Sequence, residues 1–333
     1  MKVFVTGGSG YLGRAIALAL VERGDQVVVL SRDPDRARAA LPAAVTLVAG
    51  DPTAAGTWQA AVAGCDGAIN LAGEPLADRR WDARYRQIAR DSRVDATRFL
   101  VEAMAAAEPR PRVLVSASGV DAYAFDADLP IEDDDDEVDE SAPRGSSFLA
   151  RLCRDWEDEA IAAEAHGVRV VLMRTGVVVG GRGGPIDRWA RAFRFFAGGR
   201  LGSGRQWMSW VHIDDVVGAY LFALDADGRS SGGYRDAPAA VLSGPVNLVA
   251  PGRLRNREFA RRLGQALHRP SLIPTPARAL RFALGDFAEY LLHGRPAVPR
   301  ALLSAGYVFR HPELDPALLA ARPVTDRTSA PAG

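Results

Sequence analysis

The sequence predicts an α/β fold, a doubly wound parallel sheet followed by a small, mainly helical C-terminal cap. Short apolar runs alternate with helix-period segments through the first half of the chain, as βαβ units do. A glycine-rich turn joins the first apolar run to the first helical segment. The last third changes character, its helix-like stretches over 254–310 being broken by Pro270, Pro274, Pro276, Pro296 and Pro299.

Val3-Phe4-Val5 is the expected first strand. Leu12, Ala15, Ile16, Ala19 and Leu20 then recur on one helical face, and Gly24 is placed to stop that helix. Val27–Leu30 is the second strand. Apolar runs at Val45–Val48, Ala68–Leu71, Val113–Val115 and Val168–Met173 bring the expected number to six, with helices over Arg84–Met104 and Phe148–Glu164 between them. Beyond Gly180 the pattern loosens. A helix over Asp214–Leu224, a polar stretch at 226–237 and a late strand at Val246–Leu248 follow, expected to build the substrate side. The Asp133–Asp136 run within 131–140 has too little apolar surface for an element and reads as a solvated loop. No internal repeat is visible, which argues against solenoids and propellers.

The 333 residues are 48% hydrophobic, ample for a buried core. Basic and acidic residues balance at 41 each, so no charge excess points to nucleic acid or to an anionic membrane surface. A small-molecule ligand is the better expectation. Cys65 and Cys153 are the only cysteines; they suggest neither a disulfide framework nor a zinc site, and with no metal ligands expected the chain reads as cytoplasmic. No leader pattern or long uncharged apolar span is seen. A monomer or homodimer is expected.

Thr6-Gly7-Gly8-Ser9-Gly10-Tyr11-Leu12-Gly13 lies between the first strand and helix, spacing its glycines as GxxGxxG. Such a turn lets a pyrophosphate approach the main chain and packs the helix closely on the strand, while the helix N-terminus presents unpaired amides. A Rossmann-type dinucleotide site is therefore expected, with Gly7, Ser9, Gly10, Tyr11, Leu12 and Gly13 on the phosphates. The second strand ends Leu30-Ser31-Arg32, without the acid that bonds the ribose hydroxyls in NAD sites. Arg32, aided by Ser31 and by Arg14 or Arg36, suits a 2′-phosphate, so NADP(H) is preferred over NAD(H). Asp51 could reach the adenine or cap the next turn, and Leu71-Ala72-Gly73 should pass beneath the ribose. The expected division is a dinucleotide-binding domain over 1–250 with a substrate-side insertion at about 181–210, a cap over 251–320, and a frayed tail over 321–333.

Longer motifs carry a specific resemblance: TGGSGYLG at 6–13, LSRDP at 30–34, INLAGEP at 69–75, RDSRVDAT at 90–97, FLARLCRDWE at 148–157, LMRTGVVVG at 172–180, GSGRQWMSWVHIDDVVGA at 202–219 and RNREFARRLGQALHRP at 255–270. Over about residues 1–318 the chain resembles the epimerase-like subgroup of atypical, extended short-chain dehydrogenases/reductases. The resemblance implies a nicotinamide-dinucleotide fold with a C-terminal cap, and it places Ser116 and Arg174-Thr175-Gly176 on the cofactor side. Members are often labelled sugar-nucleotide epimerases or oxidoreductases without an established substrate, and some relatives are linked to bacterial or plastid division.

Short-chain dehydrogenases generally pair a tyrosine with a lysine four residues on, the ammonium lowering the tyrosine pKa, and add a serine that orients the substrate carbonyl. Ser118 matches the serine. The tyrosine and lysine positions fall on Phe148 and Leu152, and the only lysine of the chain is Lys2, so no register shift restores the pair. Tyr123 is the first replacement to consider as proton donor, or else a packed core tyrosine; Asp121, His212 and Asp214 come after it. Arg151 could hold a substrate anion or simply sit on the helix surface. Arg205, Trp207 and Trp210 combine a guanidinium with two indoles on the expected substrate side, suited to a planar or anionic ligand, or else pack the cap. Three functions stay open: an oxidoreductase on an unidentified small molecule, a catalytically silent NADP(H)-binding sensor or scaffold, and a nucleoside-diphosphate-sugar epimerase.

Overall fold

The computed structural model describes residues 1–76, 79–123, 136–181, 183–194, 198–225 and 241–315. Its strands are β1 (Lys2–Thr6), β2 (Gln26–Ser31), β3 (Thr46–Ala49), β4 (Gly67–Asn70), β5 (Val113–Gly119), β6 (Arg169–Thr175), β7 (Val177–Val179), β8 (Trp210–His212) and β9 (Gly244–Leu248). Its helices are α1 (Tyr11–Glu22), α2 (Pro34–Arg38), α3 (Ala83–Ala106), α4 (Phe148–Ile161), α5 (Pro185–Arg194), α6 (Ile213–Leu224), α7 (Asn256–Ala266), α8 (Ala277–Leu284), α9 (Phe287–Leu292) and α10 (Arg300–Ser304).

Seven strands form one parallel sheet in the order β3-β2-β1-β4-β5-β6-β9. Alternation along β1 explains why helices cover both faces. Val3 and Val5 pack with Ile16 and Leu20 of α1 and with Tyr220 and Leu224 of α6, whereas Phe4 faces Leu100 and Met104 of α3 and Ala160 of α4. Chain order reverses between β1 and β4, and in such sheets ligands bind in the crevice outside the carboxyl ends of the strands at that point.

The late strand expected at Val246–Leu248, inside the 1–250 region, is present. It is β9, the seventh strand of the main sheet, with Val246 opposite Met173 of β6. Its core face is completed by Leu302 and Ala305 of the α10 region, so this stretch of the cap is welded to the sheet. A second, two-stranded parallel pair, β7 with β8, was not legible as strands; Val177 lies opposite Trp210. Cap helices reach back elsewhere too. Phe287 and Tyr290 of α9 pack on Trp81, Leu149 and Leu152, while Phe259 and Leu263 of α7 pack on Phe193 and Trp210.

The acidic segment 131–140 also departs from a purely solvated loop. Over its described end, 136–140, Val138 is buried and bridges Ala297, and Glu140 Oε1 accepts hydrogen bonds from Asn247 N at 2.9 Å and Ala301 N at 3.1 Å. A carboxylate at the second residue of α10 satisfies an amide that the helix itself cannot. The rest of the Asp133–Asp136 run, the polar stretch 226–237 and the tail 321–333 lie outside the described residues.

Close packing of α1 on β1 rests on Gly13: a Cβ there would sit 2.3 Å from the Gly7 carbonyl oxygen, which is backbone and cannot swing aside. Gly13→Ala is therefore expected to destabilise the chain by about 1–3 kcal/mol, read as a lower urea midpoint at unchanged m-value; an unchanged midpoint would contradict this packing.

Candidate functional site

The turn from β1 to α1 lies directly on the chain leaving β4. Gly7 adopts φ 67°, and a Cβ there would stand 2.5 Å from the Leu71 carbonyl oxygen. Gly10 is exposed, N-caps α1 without a side chain, and donates its N–H to Gly7 O at 3.0 Å. A Cβ at Gly10 would meet only that same oxygen, at 3.1 Å, so the outer side of the turn is open to a ligand. Ser9 is partly exposed beside it. Tyr11 turns away toward β7, where its hydroxyl donates to the Gly180 carbonyl, and Leu12 packs on the core.

Beneath this turn, the carboxyl ends of β1, β4 and β5 are joined by buried hydrogen bonds. Thr6 Oγ1 donates to Asn70 Oδ1 at 2.6 Å, and Asn70 Nδ2 donates to Thr97 Oγ1 at 2.7 Å and Ser116 Oγ at 3.2 Å. Ser116 is thus a buried support of the cleft floor. Leu71 N donates to Thr6 O, Ala72 is buried, and Gly73 faces the Arg93 guanidinium, which a Cβ would meet at 3.0 Å. Burial pulls the Arg93 guanidinium below its ordinary value.

At the end of β2, Ser31 holds the turn: its hydroxyl donates to Asp33 O at 2.9 Å and accepts from Asp33 N at 3.2 Å. Asp33 caps α2 by accepting from Arg36 N. Arg32 is exposed, and its side chain makes no hydrogen bond or ion pair among the described residues. Asp51 takes the turn-capping alternative, accepting from Thr53 N at 2.9 Å and Thr53 Oγ1 at 2.8 Å.

A second buried network occupies the carboxyl ends of β5 and β6. Ser118 donates to Glu157 Oε1 at 2.7 Å, and Arg174 grips the same carboxylate with two bonds of 2.8 Å. Arg144 adds a contact of 3.0 Å to Oε2. Burial alone would lower the Arg174 guanidinium, but the hydrogen bonds and charge of Glu157 raise it overall, so it stays charged. Arg174 also lies 4.9 Å from the centre of the Tyr123 ring, whose hydroxyl donates to Asn247 Oδ1 at 2.6 Å. Tyr123 is buried, and burial pushes its hydroxyl pKa up. Thr175 and Gly176 follow, the former donating to Met173 O and the latter so close to Ser209 that a Cβ would fall 2.5 Å from its carbonyl oxygen.

Asp121 is partly buried in the 3-10 turn after β5. Burial pushes its carboxyl up to about 6. Its neighbour Cys153 is pushed to about 12 by burial and by the carboxylates of Asp121 and Glu157, which makes it an unreactive thiol.

Comparison with known proteins gives this geometry a family. Residues 3–234 match the model of the NAD dependent epimerase/dehydratase family. The chain belongs to that family. Residues 275–321 match a domain of unknown function, DUF1731. An epimerase family protein of Mycobacterium leprae is 37% identical over 317 residues, 95% of this chain and 94% of that protein. The human epimerase family protein SDR39U1 is 34% identical over 322 residues, 96% of this chain and 98% of that protein. A crystal structure of human SDR39U1 (isoform 2) with NADPH superposes with a TM-score of 0.78 at 31% identity, covering 96% of this chain and 98% of that one. A crystal structure of UDP-galactose 4-epimerase, 20% identical with a TM-score of 0.69, shares the fold.

Within this epimerase-family fold the nominated residues separate. Ser118 and Tyr123 fall in one network, but both are buried and their hydroxyl protons are given to Glu157 and Asn247. Phe148 and Leu152 join the apolar cluster around Trp81 and Trp156, with Phe148 edge-on to Trp81 at 5.4 Å. Arg151 is exposed on α4 and donates to the Ser146 carbonyl. Arg205 is exposed, and Trp207 lies 4.3 Å beneath the Arg255 guanidinium. Trp210 takes the packing alternative: it is 1% exposed, and its indole N–H donates to Gly252 O at 2.8 Å. His212 N-caps α6 by accepting from Asp214 N. No metal was expected, yet ligand atoms of His212, Asp214 and His311 lie within 4.8 Å of one another.

Sequence reasoning missed Glu157, Arg144 and Asn247. Glu157 had a signal: it follows Ala150 and Cys153 at helical spacing, placing a carboxylate on the buried face of α4.

The raised carboxyl of Asp121 sets a pH dependence. The native state holds that proton more tightly than the unfolded chain, so the contribution is present at low pH and lost as pH rises through about 6. Asp121→Asn removes the titration, so the variant is expected to gain roughly 1–3 kcal/mol on the parent between pH 4.5 and 7.5, followed by urea unfolding; parallel stability curves would contradict it.

Proposed function

We propose that this chain is a cytoplasmic NADP(H)-binding oxidoreductase of a small molecule, a monomer or homodimer, working without the tyrosine–lysine pair of ordinary short-chain dehydrogenases. The observation that carries the cofactor reading is the open Gly7–Gly13 turn with Arg32, unpartnered among the described residues, at the end of the neighbouring strand. An arginine there suits a 2′-phosphate, and a similar human structure is described with NADPH. In this reading Gly10 and the α1 amides hold the pyrophosphate, Arg32 the 2′-phosphate at the turn that Ser31 braces, and Leu71-Ala72-Gly73 the ribose.

A bound nicotinamide supplies or accepts hydride; the protein must position the substrate and manage one proton. Ser118 is a poor donor to a substrate carbonyl while its proton bridges to Glu157, and Tyr123 is equally engaged with Asn247. Asp121 suits the task better, because a carboxyl near 6 exchanges its proton at neutral pH and it follows directly on β5. Epimerisation needs a competent acid/base in both directions and fits least. The engagement of Ser118 and Tyr123 favours a second reading, a catalytically silent NADP(H)-binding sensor or scaffold.

Calorimetric titration of nucleotide-stripped protein tests the first reading. NADPH is expected to bind more tightly than NADH, and Arg32→Ala to cost NADPH about 10–100-fold, as loss of a charge-assisted contact would, with NADH unchanged. Equal affinities would remove the 2′-phosphate assignment, and absence of binding the whole reading. Transfer of deuterium from labelled NADPH to a product, lost in Asp121→Asn, separates the enzyme from the silent binder.

A further inference from the structure

An open cleft of about 890 Å³ runs between α7, the 198–204 loop and the segment that follows α7. None of its lining residues belongs to the β1–α1 turn or to the ends of β2 and β4. That volume is of the size of small-molecule and nucleotide sites. Arg200, Arg257, Arg261 and Arg269 line it together with His268, and Glu258 is the sole carboxylate.

Glu258 does not neutralise this cluster. Arg261 holds it through bonds of 2.7 and 2.9 Å and Arg262 through one of 2.8 Å, which keep its carboxyl down at about 2. Arg200 and Arg257, by contrast, have no side-chain hydrogen bond or ion pair among the described residues. They are nevertheless held side by side. Gly204, at φ 69°, fits between their stems: a Cβ there would meet Arg200 Cδ at 2.8 Å and Arg257 Cβ at 3.0 Å. The Arg257 backbone N–H donates to Gly204 O at 2.9 Å, which fixes the approach. Both residues line the same cleft. Without a protein acceptor among the described residues, the two guanidinium groups suit an anion with two charged groups, as in a diphosphate, which guanidinium forks bind with strong directional bonds. Leu272, 82% exposed, and Pro274 form an apolar lip beside the arginines.

We propose that this cleft is a second ligand site, separate from the dinucleotide turn, for a soluble phosphorylated small molecule whose diphosphate is held by Arg200 and Arg257 and whose organic part rests on Leu272 and Pro274. It goes beyond the cofactor reading and does not depend on it.

The test is calorimetric titration of the full chain with inorganic pyrophosphate, with and without saturating NADPH. One pyrophosphate per chain is expected in both cases, weakening steeply with salt, at least tenfold tighter than inorganic phosphate. The Arg200→Ala/Arg257→Ala variant should lose at least tenfold in pyrophosphate affinity and keep the urea midpoint of the parent, since both side chains are exposed. If that variant misfolds, Arg257→Gln alone carries the comparison. Absence of pyrophosphate binding, its displacement by NADPH, or unchanged affinity in the folded variant would overturn the proposal. Should NADPH itself fail to bind, the titration without it still decides.

Discussion

The Glu157 carboxylate is the interaction on which the carboxyl end of the sheet depends. It is fully buried, and it joins α4 to β5 through Ser118, to β6 through Arg174, and to the chain before α4 through Arg144. Placing a carboxylate and a guanidinium inside a protein costs several kcal/mol per ion, and their attraction offsets this only with good geometry and further hydrogen bonds. Both conditions hold: the Arg174 grip is bidentate and Ser118 supplies another donor. With Arg174 so fixed, the Tyr123 ring packs against its guanidinium and the Tyr123 hydroxyl donates to Asn247 of β9, which in turn donates to Glu140 and to the Val138 carbonyl of the 138–140 strap. One ion pair thus ties the last three strands of the sheet to α4 and the cap.

This arrangement bears on function by subtraction. The serine and tyrosine that the family resemblance brings forward become parts of a support, and the helix positions where a tyrosine and a lysine would stand are apolar packing at Phe148 and Leu152. The dinucleotide half is left free of such ties. Gly10 is open, Arg32 is unpartnered among the described residues, and the Thr6–Asn70–Thr97 bonds brace the carboxyl ends of β1 and β4.

Much of the fold was legible because its signals are local. Short apolar runs and helix-period patterns placed β1, β2, α1, α3, α4 and α6 within a few residues, and the GxxGxxG spacing located the turn that packs on Leu71. What escaped depends on tertiary placement. Val246–Leu248 reads as a strand, but nothing local says that it pairs with β6. Trp207 and Trp210 look alike in sequence, yet one stacks under Arg255 near the surface and the other is sealed in the core, because β8 pairs with β7 and turns Trp210 inward. Glu157 sat within a recognised motif, but its partners come from three separate segments, and only the folded chain brings them together.

Equilibrium urea unfolding of Glu157→Gln tests this account most directly. Removing the charge leaves Arg174 buried without its counterion, and breaking a buried pair in this way costs about 3–5 kcal/mol. The account predicts a midpoint lowered to match, with any loss of NADPH binding following the loss of fold. A variant that keeps the parental midpoint but loses hydride transfer would contradict it, and would make Glu157 a catalytic group instead of the structural centre of the site.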